Sequence, residues 1–158
     1  MSNKGPAVRY RVLPRDKIGL VRPLWEALNE YHKKRSVHFK KFFERFTFEE
    51  RLKKYSKKSV KVRIDLALIG DKPVGVCLSS YDVRKEGRLD TIFVEPRFRN
   101  KGIGAALMKR AMRWFKASGV KGSSISVLYG NEEVFPFYAK FGFRPMRYTL
   151  LPEKRGTR

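Results

Sequence analysis

The chain of 158 residues is long enough for one domain with a hydrophobic core, and its 42% hydrophobic content argues against a disordered protein. Its 37 basic and 15 acidic residues give a net charge of +22, which favours anionic partners: nucleic acid, acidic proteins or the phosphates of a cofactor. The sequence has no apolar run of membrane-spanning length and no signal-peptide core, and a single cysteine, Cys77, excludes an internal disulfide. These features predict a cytoplasmic protein.

The first third of the chain predicts a strand followed by helices. Alternating residues predict a strand over 8–13, and apolar residues at helical spacing predict a helix over 16–31. Residues 33–46 mix lysines with phenylalanines and indicate no definite element. The segment Thr47-Phe-Glu-Glu50 has the pattern of a capping box, so we expect a short basic helix to begin there.

The rest of the chain alternates strands and helices, often with glycine at the turns. We expect strands over 60–69, 73–81 and 88–94, a helix over 101–118, a strand over 123–128, a helix over 131–141 and a last strand over 143–150. This order predicts a mixed α/β protein. We expect one domain over residues 1–158, with short flexible ends at 1–6 and 153–158.

Residues 89–105 combine an apolar strand, a basic turn with two glycines and the start of an amphipathic helix. A helix N-terminus presents unpaired backbone N–H groups and a positive dipole end, and glycines let a ligand approach the backbone. This combination predicts a site for phosphate or pyrophosphate. A Walker loop is excluded because Ala105 and Ala106 follow Gly104, and a Rossmann fingerprint is disfavoured because Leu107 occupies its third glycine position.

Two motifs in this sequence resemble those of one enzyme family. The motif Arg-x-x-Gly-x-Gly at 99–104, preceded by Val-x-Pro at 94–96, is similar to the acetyl-CoA loop of the GNAT (Gcn5-related) N-acetyltransferases. Further along, Asn131 is followed by Phe-Tyr-x-x-x-Gly-Phe at 137–143, which looks like the second signature of that family. The resemblance covers residues 60–150 and implies the GNAT fold: a mixed, twisted sheet flanked by helices in a single α/β domain.

The resemblance implies transfer of an acetyl group from acetyl-CoA, the co-substrate, to a primary amine by direct attack on the thioester. The glycine loop would hold the pyrophosphate, and the end of the preceding strand would pair with the pantetheine arm like an added strand. One N–H group there would polarise the thioester carbonyl. The residues implied in acetyl-CoA binding are Phe93, Val94, Arg99, Asn100, Lys101, Gly102, Ile103, Gly104, Ala105 and Asn131.

Two of these side chains have alternative roles that the sequence leaves open. Asn131 matches the asparagine with which the family contacts the cofactor arm, but an asparagine before a helix also serves as its N-cap. The Arg99 side chain either adds charge near the phosphates or lies in solvent.

The resemblance also implies catalytic residues. Tyr138 matches a tyrosine that many members use as the general acid, and a phenol pKa of ~10 suits protonation of a thiolate whose pKa is ~8.5. Its alternative role is packing. Asp90 stands where several members carry an acidic residue, and we expect it to be the general base. Period-two alternation places Asp90, Ile92 and Val94 on one face of the strand. Glu95 is the second candidate for the base, and pairing with basic neighbours is the alternative for both carboxylates.

The amine acceptor is the least determined part of this prediction. His32 and His38 lack the neighbouring ligands of a metal site, so we expect none, and with Tyr31 and nearby phenylalanines they either line the acceptor pocket or cover the sheet. The positive charge favours amines on anionic molecules, such as acidic peptide termini. The alternative function is a basic, non-catalytic protein that binds acetyl-CoA or nucleic acid on the same fold. Otherwise nucleic acid is a secondary partner, and a homodimer is compatible with the aromatic content.

Overall fold

One mixed sheet of five strands lies at the centre of the computed structural model, which describes residues 7–153. The strands lie across the sheet in chain order: β1 (Val8–Leu13), β2 (Lys61–Ile69), β3 (Lys72–Tyr81), β4 (Glu86–Val94) and β5 (Gly122–Ile125). The first four strands pair antiparallel with their neighbours, whereas β5 pairs parallel with β4.

Helices cover both faces of this sheet. They are α1 (Arg22–Arg35), α2 (Lys40–Arg45), α3 (Phe48–Ser56), α4 (Ile103–Ala117) and α5 (Phe135–Ala139), with 3-10 turns at Arg15–Val21, Pro96–Phe98 and Glu132–Val134. The predicted capping box is confirmed, since the Thr47 hydroxyl accepts the Glu50 N–H and the Glu50 carboxylate accepts the Thr47 N–H. None of the described helices is long and apolar enough to cross a membrane.

Apolar side chains fill the space between the sheet and the helices on each face. On the face covered by α1 and α3, Trp25 and Phe48 pack with strand residues that include Phe93. On the face covered by α4 and α5, Leu107 packs with residues that include the fully buried Cys77. We call these the α1–α3 face and the α4–α5 face. The predicted α/β fold, a mixed sheet flanked by helices, is confirmed.

A buried carboxylate joins the sheet to α4. Asp65 of β2 is fully buried and accepts hydrogen bonds from Arg63 at 2.6 Å and from Arg110 of α4 at 2.7 Å. Both arginine side chains are 22% exposed, so their charges are only partly solvated. The Asp65 carboxylate therefore compensates the positive charges of these two partly buried arginines.

The sequence prediction is wrong at the C-terminal end. Residues 143–153 contain no helix or strand, although a strand was expected over 143–150. Met146 and Leu150 are 91% and 92% exposed. An alternating segment needs a neighbouring strand to form a ladder, and no strand of the described chain pairs with this one. The expected helix over 131–141 is reduced to a 3-10 turn and the short α5, and β5 ends at Ile125. The predicted flexible ends lie outside the described residues, except for Glu153.

Candidate active site

The glycine turn predicted to bind phosphate lies between the end of β4 and the start of α4. Asn100 and Gly102 have positive φ angles of 59° and 78°, and Gly102 is the N-cap of α4. No side chain of the described chain caps this helix, so the N–H groups of its first turn face the loop without an intrahelical partner. A turn of this kind is suited to an anion.

Gly104 lies in the first turn of α4, where the packing of the protein does not require a glycine. A Cβ at this position would lie 3.5 Å from the Phe137 ring and 3.9 Å from a Val94 methyl group, and both are ordinary contacts. Close approach of a ligand to the backbone is a reason for a glycine here. Ile103 is buried beneath the turn and Lys101 is exposed, so the predicted loop presents backbone N–H groups together with positive charge.

The Arg99 side chain turns back toward the strand. Its Nε donates a 2.9 Å hydrogen bond to the Val94 carbonyl oxygen. The guanidinium carbon lies 5.5 Å from the ring centres of both Phe93 and Tyr31. Arg99 therefore fastens the loop to the end of β4, and it occupies a carbonyl that was expected to pair with the pantetheine arm.

β4 extends beyond its pairing with β5. The parallel ladder joins Glu86–Leu89 to Gly122–Ile125 and ends there. Residues 90–94 of β4 continue past it toward the glycine turn, and Phe93 and Val94 are buried against opposite faces of the sheet. From residue 90 to the glycine turn this edge of β4 pairs with no described strand, and we call the region beside it the gap. An extended ligand would pair with this edge of β4.

Asp90 lies in a β-bulge at the beginning of this gap. The register between β3 and β4 shifts here, and within the described sheet Asp90 has no residue opposite it. Ile92 and Val94 pack on the α4–α5 face, whereas the Asp90 carboxylate contacts Lys54 of α3 on the other face. The prediction that these three strand residues share one face is therefore wrong, because one extra residue shifts the alternation.

The Asp90 carboxylate is nearly buried, and both of its oxygens accept hydrogen bonds. The side chain is 5% exposed, and its two oxygens accept hydrogen bonds from the Lys54 ammonium and the Ser80 hydroxyl. Arg51 donates to the Asp90 backbone carbonyl and, at 3.2 Å, to the Thr91 hydroxyl. Asp90 therefore lies at the position expected of the base. It also pairs with a basic neighbour, which was its alternative role.

Tyr138 of α5 lies on the opposite face of the sheet from Asp90. Its ring packs against Phe137, with the ring centres 5.2 Å apart. Burial raises the pKa of its hydroxyl to about 12, with a smaller contribution from Cys77. The hydroxyl is therefore protonated at neutral pH. The predicted acid and the predicted base approach the sheet from its two sides.

Asn131 lies opposite the end of α1. Its side chain makes no capping hydrogen bond in the described turn, so its alternative role as an N-cap is wrong. Its Oδ1 atom lies 3.3 Å from the Tyr31 hydroxyl, which donates a 2.6 Å hydrogen bond to Glu133. Arg35 also pairs with Glu133, at 3.1 Å. These contacts connect α1 to the turn before α5, and the Tyr31 ring in turn contacts Arg99.

The remaining candidates are Glu95, His32 and His38. Glu95 pairs with Arg97 at 3.2 Å and is partly exposed, as expected for a surface carboxylate. His32 is partly buried on α1, and burial, with a smaller contribution from Arg51, lowers its pKa to about 4. His38 is exposed. His32 is therefore uncharged at neutral pH. Neither histidine makes a hydrogen bond to Asp90 among those of the described residues.

Sequence analysis missed the residues of α3 and β3 that surround Asp90. Arg51, Lys54, Tyr55 and Ser80 lie between 10 and 39 residues before it in the chain. The only sequence signal is that Arg51, Lys54 and Tyr55 share one face of the helix that the capping box predicts. That pattern does not indicate which strand the face meets.

Comparison with known proteins agrees with this geometry. The profile of the Acetyltransferase (GNAT) family matches residues 22–143. An uncharacterized N-acetyltransferase of Methanocaldococcus jannaschii is 33% identical over 81 residues, which are 48% of this chain and 36% of that protein. This match therefore spans about a third of the relative's length.

Solved structures share the fold. A GCN5-related N-acetyltransferase from Ralstonia eutropha superposes with a TM-score of 0.71 at 21% identity, over 92% of this chain and 98% of that one. An aminoglycoside N-acetyltransferase in complex with CoA superposes with a TM-score of 0.62 at 17% identity, over 93% and 99% of the two chains. Because the family profile covers most of the sequence, this chain belongs to the GNAT family of acetyltransferases.

Proposed function

We propose that this chain transfers the acetyl group of acetyl-CoA to a primary amine, by direct attack of the amine on the thioester. The observation that carries the proposal is the arrangement around the gap beside β4. The glycine turn at 99–104 lies at one end, Asp90 lies at the other end on one face, and Tyr138 lies on the opposite face. Direct transfer needs a base for the incoming amine and a proton donor for the departing sulfur.

The turn at 99–104 is suited to the pyrophosphate of the donor. Backbone N–H groups from Gly102 to Ala105 would receive the anion, and the exposed Lys101 adds charge. Residues 90–94 would pair with the pantetheine arm, and Arg99 would share or release the Val94 carbonyl. When bound, acetyl-CoA supplies an acyl carbon that is activated toward amines. An N–H group of this strand segment would polarise its carbonyl oxygen.

Asp90 would take a proton from the ammonium form of the acceptor. It lies in the bulge where the gap begins. This end of the β4 edge is the one farther from the turn at 99–104. Because Lys54 and Ser80 already bond to its carboxylate, an acceptor ammonium must compete with the Lys54 ammonium for the same oxygen. Lys54 therefore influences how readily Asp90 acts as a base.

Tyr138 would donate a hydrogen bond to the departing sulfur. Its pKa of about 12 keeps it protonated, as a donor must be. The ordinary pKa of a thiol is ~8.5, so complete proton transfer from Tyr138 to a free thiolate is uphill by about 5 kcal/mol. We infer that Tyr138 stabilises the charge that develops on sulfur and that water finally supplies the proton.

The charges around Asp90 favour an acceptor whose amine is carried by an anionic molecule. Lys54 pairs with the carboxylate, Arg51 bonds to the backbone carbonyl of the same residue, and the whole chain has a net charge of +22. A polycationic amine would be repelled by this surface, whereas an acidic peptide would be attracted. A cytoplasmic location, secondary contact with nucleic acid and a homodimer stay predictions.

Release of CoA thiol from acetyl-CoA across a panel of amines tests this function. We expect multiple turnovers only with an added acceptor, and faster release with acidic peptides than with polyamines. Tyr138→Phe should lower kcat by about 100-fold. Tyr129→Phe is the matched control, since Tyr129 is 69% exposed, and it should keep full activity. Acetyl-CoA binding without thiol release from any amine, combined with tight, salt-dependent binding of nucleic acid, would favour the non-catalytic alternative.

A further inference from the structure

A lysine of the chain itself occupies the place at which the proposed acceptor amine would lose its proton. The Lys54 ammonium bonds to one carboxylate oxygen of Asp90, and Ser80 bonds to the other. The Asp90 side chain is 5% exposed and Lys54 is 31% exposed, so the carboxylate is more deeply buried than the ammonium that pairs with it. A primary amine is thus already bound to the proposed base.

We propose that Lys54 is a site of self-acetylation. This inference rests on the proposed function, because it uses the same donor and the same base. In the step, the Lys54 ammonium gives one proton to Asp90, and the free Nζ electron pair forms a bond to the acetyl carbon. The carbon–sulfur bond breaks and its electron pair leaves on sulfur, which receives the second proton from the nitrogen through water. The products are acetylated Lys54 and CoA thiol, and the proton on Asp90 returns to solvent.

The position of Asp90 along β4 supports contact between Lys54 and the donor. Residues 90–94 form the edge that continues past the end of the β5 ladder, and this edge is about 16 Å long at the rise of a β-strand. It begins at Asp90 and ends beside the turn at 99–104. An extended arm that starts at this turn and pairs with the edge therefore leads to the bulge, where Lys54 is bound.

The surroundings of Lys54 make its ammonium easier to deprotonate, as attack requires. Burial is the largest influence and lowers its pKa, and the positive charges of Arg51 and Arg88 lower it further, while Asp90 opposes them. The Tyr55 hydroxyl is also buried close to Asp90. Acetylation would remove the charge of Lys54 and end its ion pair with Asp90.

Peptide mass spectrometry after incubation of the full chain with isotopically labelled acetyl-CoA tests the inference. Lys53 is an internal control, because it is adjacent in sequence and exposed, and it reports ordinary chemical acetylation. We expect Lys54 to be labelled about 100-fold faster than Lys53. Its rate constant should not depend on protein concentration, because the reaction is intramolecular. In urea, where α3 is unfolded, the two lysines should react at similar rates.

Two variants sharpen this test. Asp90→Asn keeps the size of the side chain and removes the base, so it should abolish the preference for Lys54. Lys53→Arg should leave the labelling of Lys54 unchanged. Equal labelling of Lys53 and Lys54 in the folded wild type, or a preference that persists in folded Asp90→Asn, would overturn the inference. The urea comparison in the wild type does not depend on whether Asp90→Asn folds.

The same experiment separates this inference from the proposed function. If thiol release with added amines occurs while Lys54 stays unlabelled, self-acetylation is wrong and the acetyltransferase function stands. If neither thiol release nor labelling occurs in a protein that binds acetyl-CoA, both are wrong. Labelling of Lys54 without turnover of any tested amine would support acetyl transfer and leave the external acceptor to be found.

Discussion

Gly102 allows the proposed anion-binding role of the turn at 99–104 to be tested by a single added methyl group. Its φ is +78°, and an added Cβ would meet no atom of the described chain within 4 Å. Gly102→Ala therefore has one direct effect on the fold, which is to place a Cβ on a left-handed residue. This conformation costs about 1–2 kcal/mol for a residue other than glycine.

Gly119 is the matched control at the other end of α4. Its φ is +68°, and its added Cβ also meets no described atom within 4 Å. The Val120 N–H donates a 3.0 Å hydrogen bond to the Phe115 carbonyl, as in a helix ended by a left-handed glycine. Gly119→Ala should therefore lower stability as much as Gly102→Ala does. Each should lower the midpoint of thermal unfolding by about 2–6 °C.

Calorimetric titration with CoA separates the two glycines. Strain at Gly102 moves the N–H groups that would hold the pyrophosphate, and loss of one hydrogen bond to a charged group is worth about 1.5–3 kcal/mol. We therefore expect Gly102→Ala to raise Kd by at least about tenfold, and Gly119→Ala to change it by less than about twofold. Equal weakening in both variants, or an unchanged Kd in Gly102→Ala, would refute a role for this turn in binding.

Two further predictions concern buried ionisable groups. Asp65→Asn leaves its two arginine partners without a carboxylate, so it should lower the free energy of unfolding in urea by about 3 kcal/mol. Glu49→Gln, at an exposed ion pair, should change it by less than about 1 kcal/mol, and a similar loss in both variants would contradict the role of burial. The pKa of His32 is about 4 in the folded chain and 6.5 ordinarily, so the unfolded chain binds the proton first. Stability should therefore fall as pH falls from 6.5 to 4, by up to about 3 kcal/mol. His32→Gln should flatten this part of the stability–pH curve and His38→Gln should not; an unaltered slope in His32→Gln would show that other groups cause it.

Local patterns predicted the parts of the site that are built from neighbouring residues. The turn at 99–104 and the start of α4 depend on a strand end, two glycines and one apolar helix face, all within a few residues. The capping box at Thr47 likewise needs only the residue three positions later. Such elements can be identified from sequence because their hydrogen bonds are made within the segment itself.

These local patterns did not predict the contacts between segments that are distant in sequence. The segment over 143–150 alternates as a strand does, yet it finds no strand to pair with in the described chain, and Met146 and Leu150 stay exposed. The contact between Tyr31 and Glu133 spans 102 residues, and that between Lys54 and Asp90 spans 36. The residues adjacent in sequence to either partner do not indicate which residue it will contact. Sequence analysis therefore identified Asp90 but not the lysine that neutralises it.

The bulge at Asp90 has the largest consequence for the proposed chemistry. In a regular strand Asp90 would share a face with Val94, which packs on the α4–α5 face together with Tyr138. The base and the acid would then lie on one side of the sheet. The extra residue turns Asp90 to the α1–α3 face instead. A one-residue shift of register thus places the candidate base and the candidate acid on opposite faces of the sheet, beside the same edge of β4.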